Sequence, residues 1–272
     1  MRANPVHYLS YVNLQVSAGI SHQRSNLIAM IKEAAVNQRT LIAPEFCLAG
    51  KHNLGRTIGT QLDEYFDFER VNVDGQPLTV LTQCPEKIGH SLATVNPDES
   101  LMGRSERWLI KDLGGISLLR HTLQNLYPGF ADLAVRLPTR NSLLAIANQL
   151  SSQIPPGAAW VHARRSDRLQ ETQHATHPEH IHRILQKICP KIKTVYIATD
   201  ERDADFFSPL RRHYHLLTKA NFPSFEALGS TDNYKLFLVE REFAKFFTWR
   251  ISTFRTCNIN YHGFLCGRAG AQ

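Results

Sequence analysis

Hydrophobic and polar positions alternate along the chain with two different periods, which predict strands and helices that follow one another. A strand pattern over residues 7–16 precedes apolar residues at helical spacing over residues 25–36, and a short apolar run over residues 40–43 comes next and is stopped by Pro44. This order of strand, helix and strand is one βαβ unit. It predicts an α/β fold with a parallel sheet.

A second series of the same kind follows residues 151–157, whose Pro-Pro-Gly ending cannot continue a helix. We therefore place a domain boundary there and predict domains over residues 1–154 and 155–272. Further elements are predicted as helices over residues 116–123, 141–150, 180–188 and 236–247 and after Asp205, and as strands over residues 159–162, 194–199 and 250–254. Two Rossmann-like halves of this kind would face a cleft, because open α/β sheets bind ligands beyond the carboxyl ends of their strands.

Composition describes a globular chain: 43% of its 272 residues are hydrophobic and 20% are charged. No apolar run approaches the roughly 18 residues of a membrane span, so none is predicted. The first residues lack the apolar core and cleavage site of a signal peptide. We therefore expect a cytoplasmic protein, or a secretory or Golgi protein whose leader has been trimmed.

Cysteine and histidine spacing predicts no metal site. The five cysteines form no Cys-x-x-Cys pair, which argues against a disulfide framework or structural zinc. Four histidines between residues 174 and 182 have a spacing that can bind metal, but a helix beginning at Pro178 explains the segment more simply. The formal charge of +7 favours anionic partners. Nucleic acid is not expected among them, because no recognised binding signature accompanies the charge.

The segment Trp-Val-His-Ala-Arg-Arg at residues 160–165 delivers one histidine and two arginines to the end of a predicted strand. A guanidinium group is always charged and presents its donors in a fixed fork that fits phosphate oxygens. Arg164 and Arg165 therefore indicate a diphosphate site. The alternative for the segment taken alone is a solvated charged turn.

Three other segments carry candidate binding groups at predicted strand ends or a helix start. Residues 17–24, which include Gly19, would offer free amides to an anion, although the segment lacks the usual phosphate-loop patterns and is otherwise a turn. Residues 199–201 end a buried strand with acidic side chains, or else cap the next helix. Residues 251–256 carry hydroxyls suited to phosphate oxygens, or else form an ordinary edge strand.

These segments together resemble a superfamily of fucosyltransferases that includes the nodulation, core α1,6 and protein O-fucosyltransferases. The matches occur in the same order along the chain: Gly19-Ile20-Ser21-His22-Gln23 for the Gly-rich loop, residues 37–45 for the Asn-Arg-Thr-Leu-Val-x-Pro strand, residues 162–167 for His-x-Arg-Arg-x-Asp, residues 195–201 for Val-Tyr-x-Ala-Thr-Asp, and Ser252-Thr253-Phe254 for the last loop. Each motif is modest by itself, and the order and spacing make the resemblance specific.

The resemblance implies a GT-B fold, GDP-fucose as donor, a glycan or protein hydroxyl as acceptor, inversion at the sugar carbon, and no metal or other cofactor. Arg164 would contact the β-phosphate and stabilise the departing GDP, Glu240 would read the guanine edge, and Arg165 would contact the donor or support the loop. The residues carried over as donor-binding are Gly19, His22, His162, Arg165, Asp200, Glu240, Ser252, Thr253 and Phe254.

Inverting transfer needs a base for the proton of the acceptor hydroxyl. Glu171 is the candidate, because it lies close to the position where core fucosyltransferases keep their proposed base; the alternative is a loop carboxylate without a catalytic role. The chain has His22 where the family usually has asparagine, and glycines after Phe254 where relatives often have a long helix. These departures leave open a catalytically inert nucleotide-sugar or glycan-binding module of the same fold.

Overall fold

The structure is a computed structural model that describes residues 6–12, 19–50, 58–60, 62–83, 92–114, 119–165, 169–253 and 267–268. Residue contacts group the chain into two compact units, an N-terminal unit Met1–Asn141 and a C-terminal unit Ser142–Gln272. The division falls after the first residue of the helix Asn141–Ser151, which was predicted to belong to the first domain. Leu143, Ala147 and Leu150 of this helix are buried, and its contacts group it with the C-terminal unit.

The N-terminal unit contains a parallel five-stranded sheet in the order β7-β2-β1-β9-β8. Two smaller antiparallel sheets, β3-β4 and β10-β5-β6, accompany it. The elements are β1 Tyr8–Val12, α1 Ile20–Val36, β2 Thr40–Ile42, β3 Phe46–Leu48, β4 Ile58–Thr60, β5 Asn72–Val73, β6 Gln76–Pro77, β7 Val80–Leu81, β8 Leu92–Val95, β9 Trp108–Asp112, α2 Leu119–Leu126 and β10 Val135–Arg136, with 3-10 turns at Leu62–Glu64 and Phe68–Arg70. The predicted βαβ unit is confirmed as β1-α1-β2.

A buried ionic cluster joins α1 to the central strands of this sheet. The Lys111 ammonium on β9 and the Glu33 carboxylate on α1 are both fully buried, and Lys111 Nζ lies 2.6 Å from Glu33 Oε1. The hydroxyls of Tyr11 and Tyr127 donate to the two carboxylate oxygens, each at 2.6 Å. Lys111 also donates to the Glu99 carbonyl at 2.9 Å. The carboxylate is thus surrounded by three donors, which is the condition under which a buried charge is tolerated.

The C-terminal unit contains a second five-stranded sheet in the order β13-β12-β11-β14-β15, parallel except for the last pair. The elements are α3 Asn141–Ser151, β11 Ala159–Ala163, α4 Leu169–Thr172, α5 Pro178–Ile188, β12 Thr194–Thr199, β13 His215–Leu217, α6 Pro223–Thr231, α7 Asn233–Phe243, β14 Trp249–Ser252 and β15 Gly267–Arg268, with 3-10 turns at Ser208–Arg212, Lys219–Asn221 and Ala244–Phe246.

Two predicted helices of this unit differ from the structure. The helix expected after Asp205 is the 3-10 turn Ser208–Arg212. The helix expected over residues 236–247 begins earlier, at Asn233, because the Asp232 carboxylate accepts from the amides of Tyr234 and Lys235 and caps it. This helix ends at Phe243, and a 3-10 turn follows.

Alternate residues of β11 and β12 point to opposite faces of the sheet. Val161 and Ile197 face a core formed with Ile181 and Leu185 of α5. Tyr196 faces the other way, into a cluster of phenylalanine rings whose centroids lie 5.5 to 6.3 Å from its own. The four rings are Phe222, Phe225, Phe243 and Phe247. Helices therefore pack on both faces, as in a Rossmann-like unit.

The order of strands places a topological switch point beside β11. After β11 the chain continues to β12 and β13 on one side of it, and then crosses to β14 on the other side. The carboxyl ends of β11 and β14 therefore flank the point at which the direction of winding reverses. Ligands of open α/β sheets bind at such a point.

Candidate functional site

The switch point brings His162, Ser252 and Thr253 together. His162 pairs with Ser252 in the parallel register of β11 and β14. The His162 carbonyl accepts hydrogen bonds from the Thr253 amide at 3.1 Å and from the Thr253 hydroxyl at 2.9 Å. The Thr253 hydroxyl thus joins the ends of the two strands, and its hydrogen is used in the bond to the His162 carbonyl. Its predicted grip on a diphosphate stays a prediction.

The side chain of His162 is held in its neutral form. Its ring stacks on Trp160 with centroids 5.6 Å apart. Burial, with a smaller contribution from the charge of Arg164, lowers the pKa of His162 to about 4, although Asp200 acts in the opposite direction. A neutral imidazole binds by hydrogen bonds rather than by an ion pair. His162 is therefore suited to orient a polar group by hydrogen bonding rather than to neutralise an anion.

The two arginines after β11 have different surroundings. The guanidinium of Arg165 is buried, with its Nε 2.6 Å from Glu201 Oε2 and its Nη1 donating to the Thr176 hydroxyl at 2.8 Å. Its Cζ lies 3.7 Å from the centre of the Phe206 ring. Arg164 is only partly buried, and its carbonyl accepts from the Thr172 hydroxyl at 2.7 Å. The side chain of Arg165 is therefore held in place by Glu201, Thr176 and Phe206.

Asp200 and Thr199 connect the end of β12 to the end of β11. The Asp200 carboxylate accepts from the Arg165 amide at 2.6 Å, and the Thr199 hydroxyl donates to the Ala163 carbonyl at 2.6 Å. No described helix starts at either residue, so the helix-cap alternative is not what the structure shows. These two hydrogen bonds hold the backbone on either side of Arg164.

Glu201, Thr172 and Thr176 contact the arginine turn and were not among the individual site residues predicted from the sequence, although Glu201 belongs to the acidic segment 199–201. Glu201 Oε1 accepts from the amides of Arg202 and Asp203, while its Oε2 meets Arg165. Its pKa is lowered, first by the Asp203 amide and then by the hydrogen bond from Arg165. Only the position of Glu201 beside Asp200 was a signal in the sequence, and the two threonines had none.

Glu240 lies on the same face of the sheet as His162. The Tyr196 hydroxyl donates to Glu240 Oε1 at 2.5 Å, and Tyr196 pairs with Trp160, two residues before His162 on β11. Burial raises the pKa of Glu240 to about 7, in spite of the Tyr196 hydrogen bond and the charge of Lys219. Near neutral pH this carboxyl therefore titrates, which gives it a measurable signature.

We expect the stability of the protein to fall as the pH rises from about 5 to about 7 through Glu240. In this window the folded state retains a proton that the unfolded state, with a glutamate pKa of 4.5, has lost. Glu240→Gln removes this effect. The difference in Tm between variant and wild type should therefore be more favourable to the variant at pH 8 than at pH 5, as measured by circular dichroism.

Glu226→Gln is the matched control, because Glu226 is an exposed glutamate on the neighbouring helix α6. It should change Tm by the same small amount at both pH values. An equally flat result for Glu240→Gln would contradict the raised pKa.

The N-terminal unit holds two of the predicted donor-binding residues, Gly19 and His22. Gly19 immediately precedes α1, and its carbonyl accepts from the amides of His22 and Gln23 at 3.0 and 3.1 Å. His22 lies in the first turn of this helix. No acidic residue is present in that turn, so the positive end of the helix dipole is left for an anion.

Two predicted site residues fall outside this description. The backbone of Glu171 belongs to α4, but its side chain lies outside the described part of the structure. Phe254 lies outside the described residues altogether. Within the ranges that are described, no group of three or more histidine, cysteine, aspartate or glutamate side chains is arranged to hold a metal ion. Among those same residues, no helix has the length and apolarity to cross a bilayer.

Comparison by sequence identifies no relatives, since no family model and no curated protein matches the chain. Comparison by structure finds proteins of similar fold. POFUT1 in complex with GDP aligns over 93% of this chain and 92% of its own, with a TM-score of 0.55 at 12% identity. NodZ α-1,6-fucosyltransferase soaked with GDP-fucose aligns over 92% and 89%, with a TM-score of 0.54 at 12% identity.

This chain has the fold of these fucosyltransferases. The match covers nearly the whole length of both chains, so it includes both α/β units rather than one of them. The predicted fold class, α/β of the GT-B type, is confirmed, and so is the likeness to fucosyltransferases that the motifs indicated. At 12% identity the likeness concerns the fold, and the chemistry has to be argued from the side chains of this chain.

Proposed function

We propose that the protein is a glycosyltransferase that moves fucose from GDP-fucose to a hydroxyl of a glycan or protein. The observation that carries the proposal is the position of Arg164 immediately after β11, at the switch point of the C-terminal unit. The fold supports it, because POFUT1 and NodZ of the same fold are enzymes crystallised with GDP or GDP-fucose.

The reaction we propose is a single displacement with inversion. The acceptor oxygen bonds to C1 of fucose as the bond from C1 to the β-phosphate oxygen breaks, and GDP leaves with the bonding electrons. The developing negative charge on the diphosphate must be met by groups already in place, which is where a fixed cation lowers the barrier most. Arg164 supplies that charge in our proposal, and transfer then needs no metal.

We propose Glu171 as the group that takes the acceptor proton. A carboxylate of this kind accepts the proton as the new glycosidic bond forms. Its backbone lies in α4, and the next residue, Thr172, donates its hydroxyl to the Arg164 carbonyl. The proposed base therefore lies on the element that contacts the proposed leaving-group arginine. We also propose that His162 and Ser252 orient the donor and that Glu240 contacts its guanine.

The donor class is tested by a panel of nucleotides in a thermal-shift assay, because a ligand that binds only the folded state raises Tm. We expect GDP and GDP-fucose to raise Tm by several degrees and GMP, UDP and ADP to raise it much less. GMP is the matched control for the second phosphate, and UDP and ADP are the controls for the base. Equal shifts for all of these nucleotides would contradict the proposed donor.

Turnover is tested with GDP-fucose and a panel of glycan and peptide acceptors, with and without a chelator. Release of GDP that depends on an acceptor and is unchanged by the chelator would support a metal-independent transferase. GDP binding without any turnover would instead identify a catalytically inert nucleotide-sugar-binding module.

A further inference from the structure

We infer that Arg165 is a positioning residue that sets the orientation of Arg164 and does not bind the donor. It acts as part of a brace formed by Arg165, Glu201, Thr176, Thr172 and Asp200. The inference rests on the proposed function, in which Arg164 meets the departing diphosphate.

The side chain of Arg165 is engaged by protein groups. Its Nε forms an ion pair with Glu201, its Nη1 donates to Thr176, and its flat face lies on the ring of Phe206. Only 8% of the residue is exposed. A guanidinium grips a diphosphate with its fork of donors, and here Nε and Nη1 already donate to protein acceptors. A diphosphate that took the Nε donor would have to displace Glu201.

The charge of Arg165 is paired within the protein. The Glu201 carboxylate is itself fixed, because its other oxygen accepts two backbone amides at 2.8 and 3.1 Å. The positive charge of Arg165 is therefore balanced by a carboxylate that backbone amides hold in place. Adjacent like charges repel, and pairing Arg165 with Glu201 reduces that repulsion beside Arg164.

The peptide bond between the two arginines is held at both of its polar atoms. The carbonyl of Arg164 and the amide of Arg165 belong to the same peptide unit. The carbonyl accepts from the Thr172 hydroxyl at 2.7 Å, and the amide donates to Asp200 at 2.6 Å. Since the unit is planar, fixing both of its polar atoms fixes its plane and limits the directions open to the Arg164 side chain.

Thr176 and Thr172 connect the side chain of Arg165 to α4. The Thr176 hydroxyl accepts from Arg165 and donates to the Thr172 carbonyl at 2.8 Å. Thr172 in turn contacts Arg164 and directly follows Glu171. The same set of hydrogen bonds therefore links the backbone of Arg164 to Thr172, the residue next to the proposed base. A change in Arg165 should therefore alter the position of Arg164 through these hydrogen bonds.

The test is a double-mutant cycle on GDP affinity, measured by calorimetry so that it does not depend on turnover. Arg165→Lys keeps the charge but loses the fork and the flat face. We expect it to weaken GDP binding about tenfold in the wild type and less than about twofold in an Arg164→Ala background, because residues that act through one another are not additive. Glu201→Gln should reproduce this pattern without altering any arginine.

Arg211→Lys, at an exposed arginine of the same unit, is the matched control and should leave GDP affinity unchanged. A purely structural loss would lower the binding stoichiometry and Tm but not the Kd of the folded fraction. With GDP-fucose, we expect Arg165→Lys to lower kcat more than it raises KM, because the misplaced cation matters most as the diphosphate departs.

Equal weakening of GDP binding by Arg165→Lys in both backgrounds would overturn the inference, because it would mean that Arg165 contacts the donor directly. No weakening in either background would also overturn it. Both results leave the proposed function standing, since GDP still binds. Failure of the wild type to bind GDP would overturn the proposed function and this inference together, so the two kinds of failure are distinguishable.

Discussion

Arg164→Ala is expected to lower kcat for fucosyl transfer by about a thousandfold, because it removes the cation that the departing diphosphate needs. The loss concerns a charge that develops as the C1–O bond breaks, so it should appear in kcat and in kcat/KM alike. The fold should be retained, because Arg164 is only partly buried and the hydrogen bond made by its carbonyl survives the change. Initial rates over a range of GDP-fucose concentrations give kcat and kcat/KM, and circular dichroism checks the fold.

Arg164→Lys separates charge from geometry at the same position. Lysine keeps the positive charge but cannot bind two oxygens with a fixed fork, so its activity should lie between those of the wild type and the alanine variant. Arg183→Ala, at an exposed arginine on α5, is the control for loss of a positive charge in the same unit and should retain full activity. Full activity in Arg164→Ala would remove the basis of the proposed function.

Lys111→Met is expected to lower the free energy of unfolding by about 3–5 kcal/mol, because it leaves the Glu33 carboxylate buried without its cation. Such a loss is a large part of the total stability of an ordinary domain. The hydroxyls of Tyr11 and Tyr127 still solvate the carboxylate but do not balance its charge. Urea unfolding measures the free energy of unfolding, and hydrogen exchange in peptides from α1 and β9 serves as the probe that reports on the N-terminal unit.

The control adds Glu33→Gln to the same variant. Glutamine is neutral and keeps an oxygen that accepts from a tyrosine, so the double variant no longer buries an unpaired charge. It should recover a substantial part of the stability lost in Lys111→Met. A change of less than about 1 kcal/mol in the single variant would show that the ion pair does not stabilise the unit.

Strand β12 shows what the sequence could predict about the fold. Its bounds, Thr194–Thr199, are those predicted, because a run of β-branched and aromatic residues ends at polar side chains. Strand β9 was not predicted, and Lys111 explains why: a lysine in the middle of a short segment argues against a buried strand. Its burial becomes acceptable only through Glu33, which lies 78 positions earlier in the chain. No local pattern contains that information.

Some features of the candidate site were likewise predicted from the sequence, and others were not. The strand ending in His162 and Arg164 was predicted, and so was the acidic segment after β12, because residue type and strand ends are local properties. The likeness to fucosyltransferases then supplied expected roles. The pairing of Tyr196 with Glu240, 44 positions apart, and the capture of Arg165 by Glu201, 36 positions apart, were not predicted.

The sequence by itself therefore determined the alternating α/β architecture, the second βαβ series and a cationic strand end suited to a phosphate. These properties depend on periodicity and on residue type, which are readable over a few neighbouring positions. Only the tertiary structure decided which of two adjacent arginines is buried, and where the unit division falls relative to α3. Those outcomes depend on which distant side chain is available to neutralise a buried charge or cover an apolar face, and that is settled when the elements pack together.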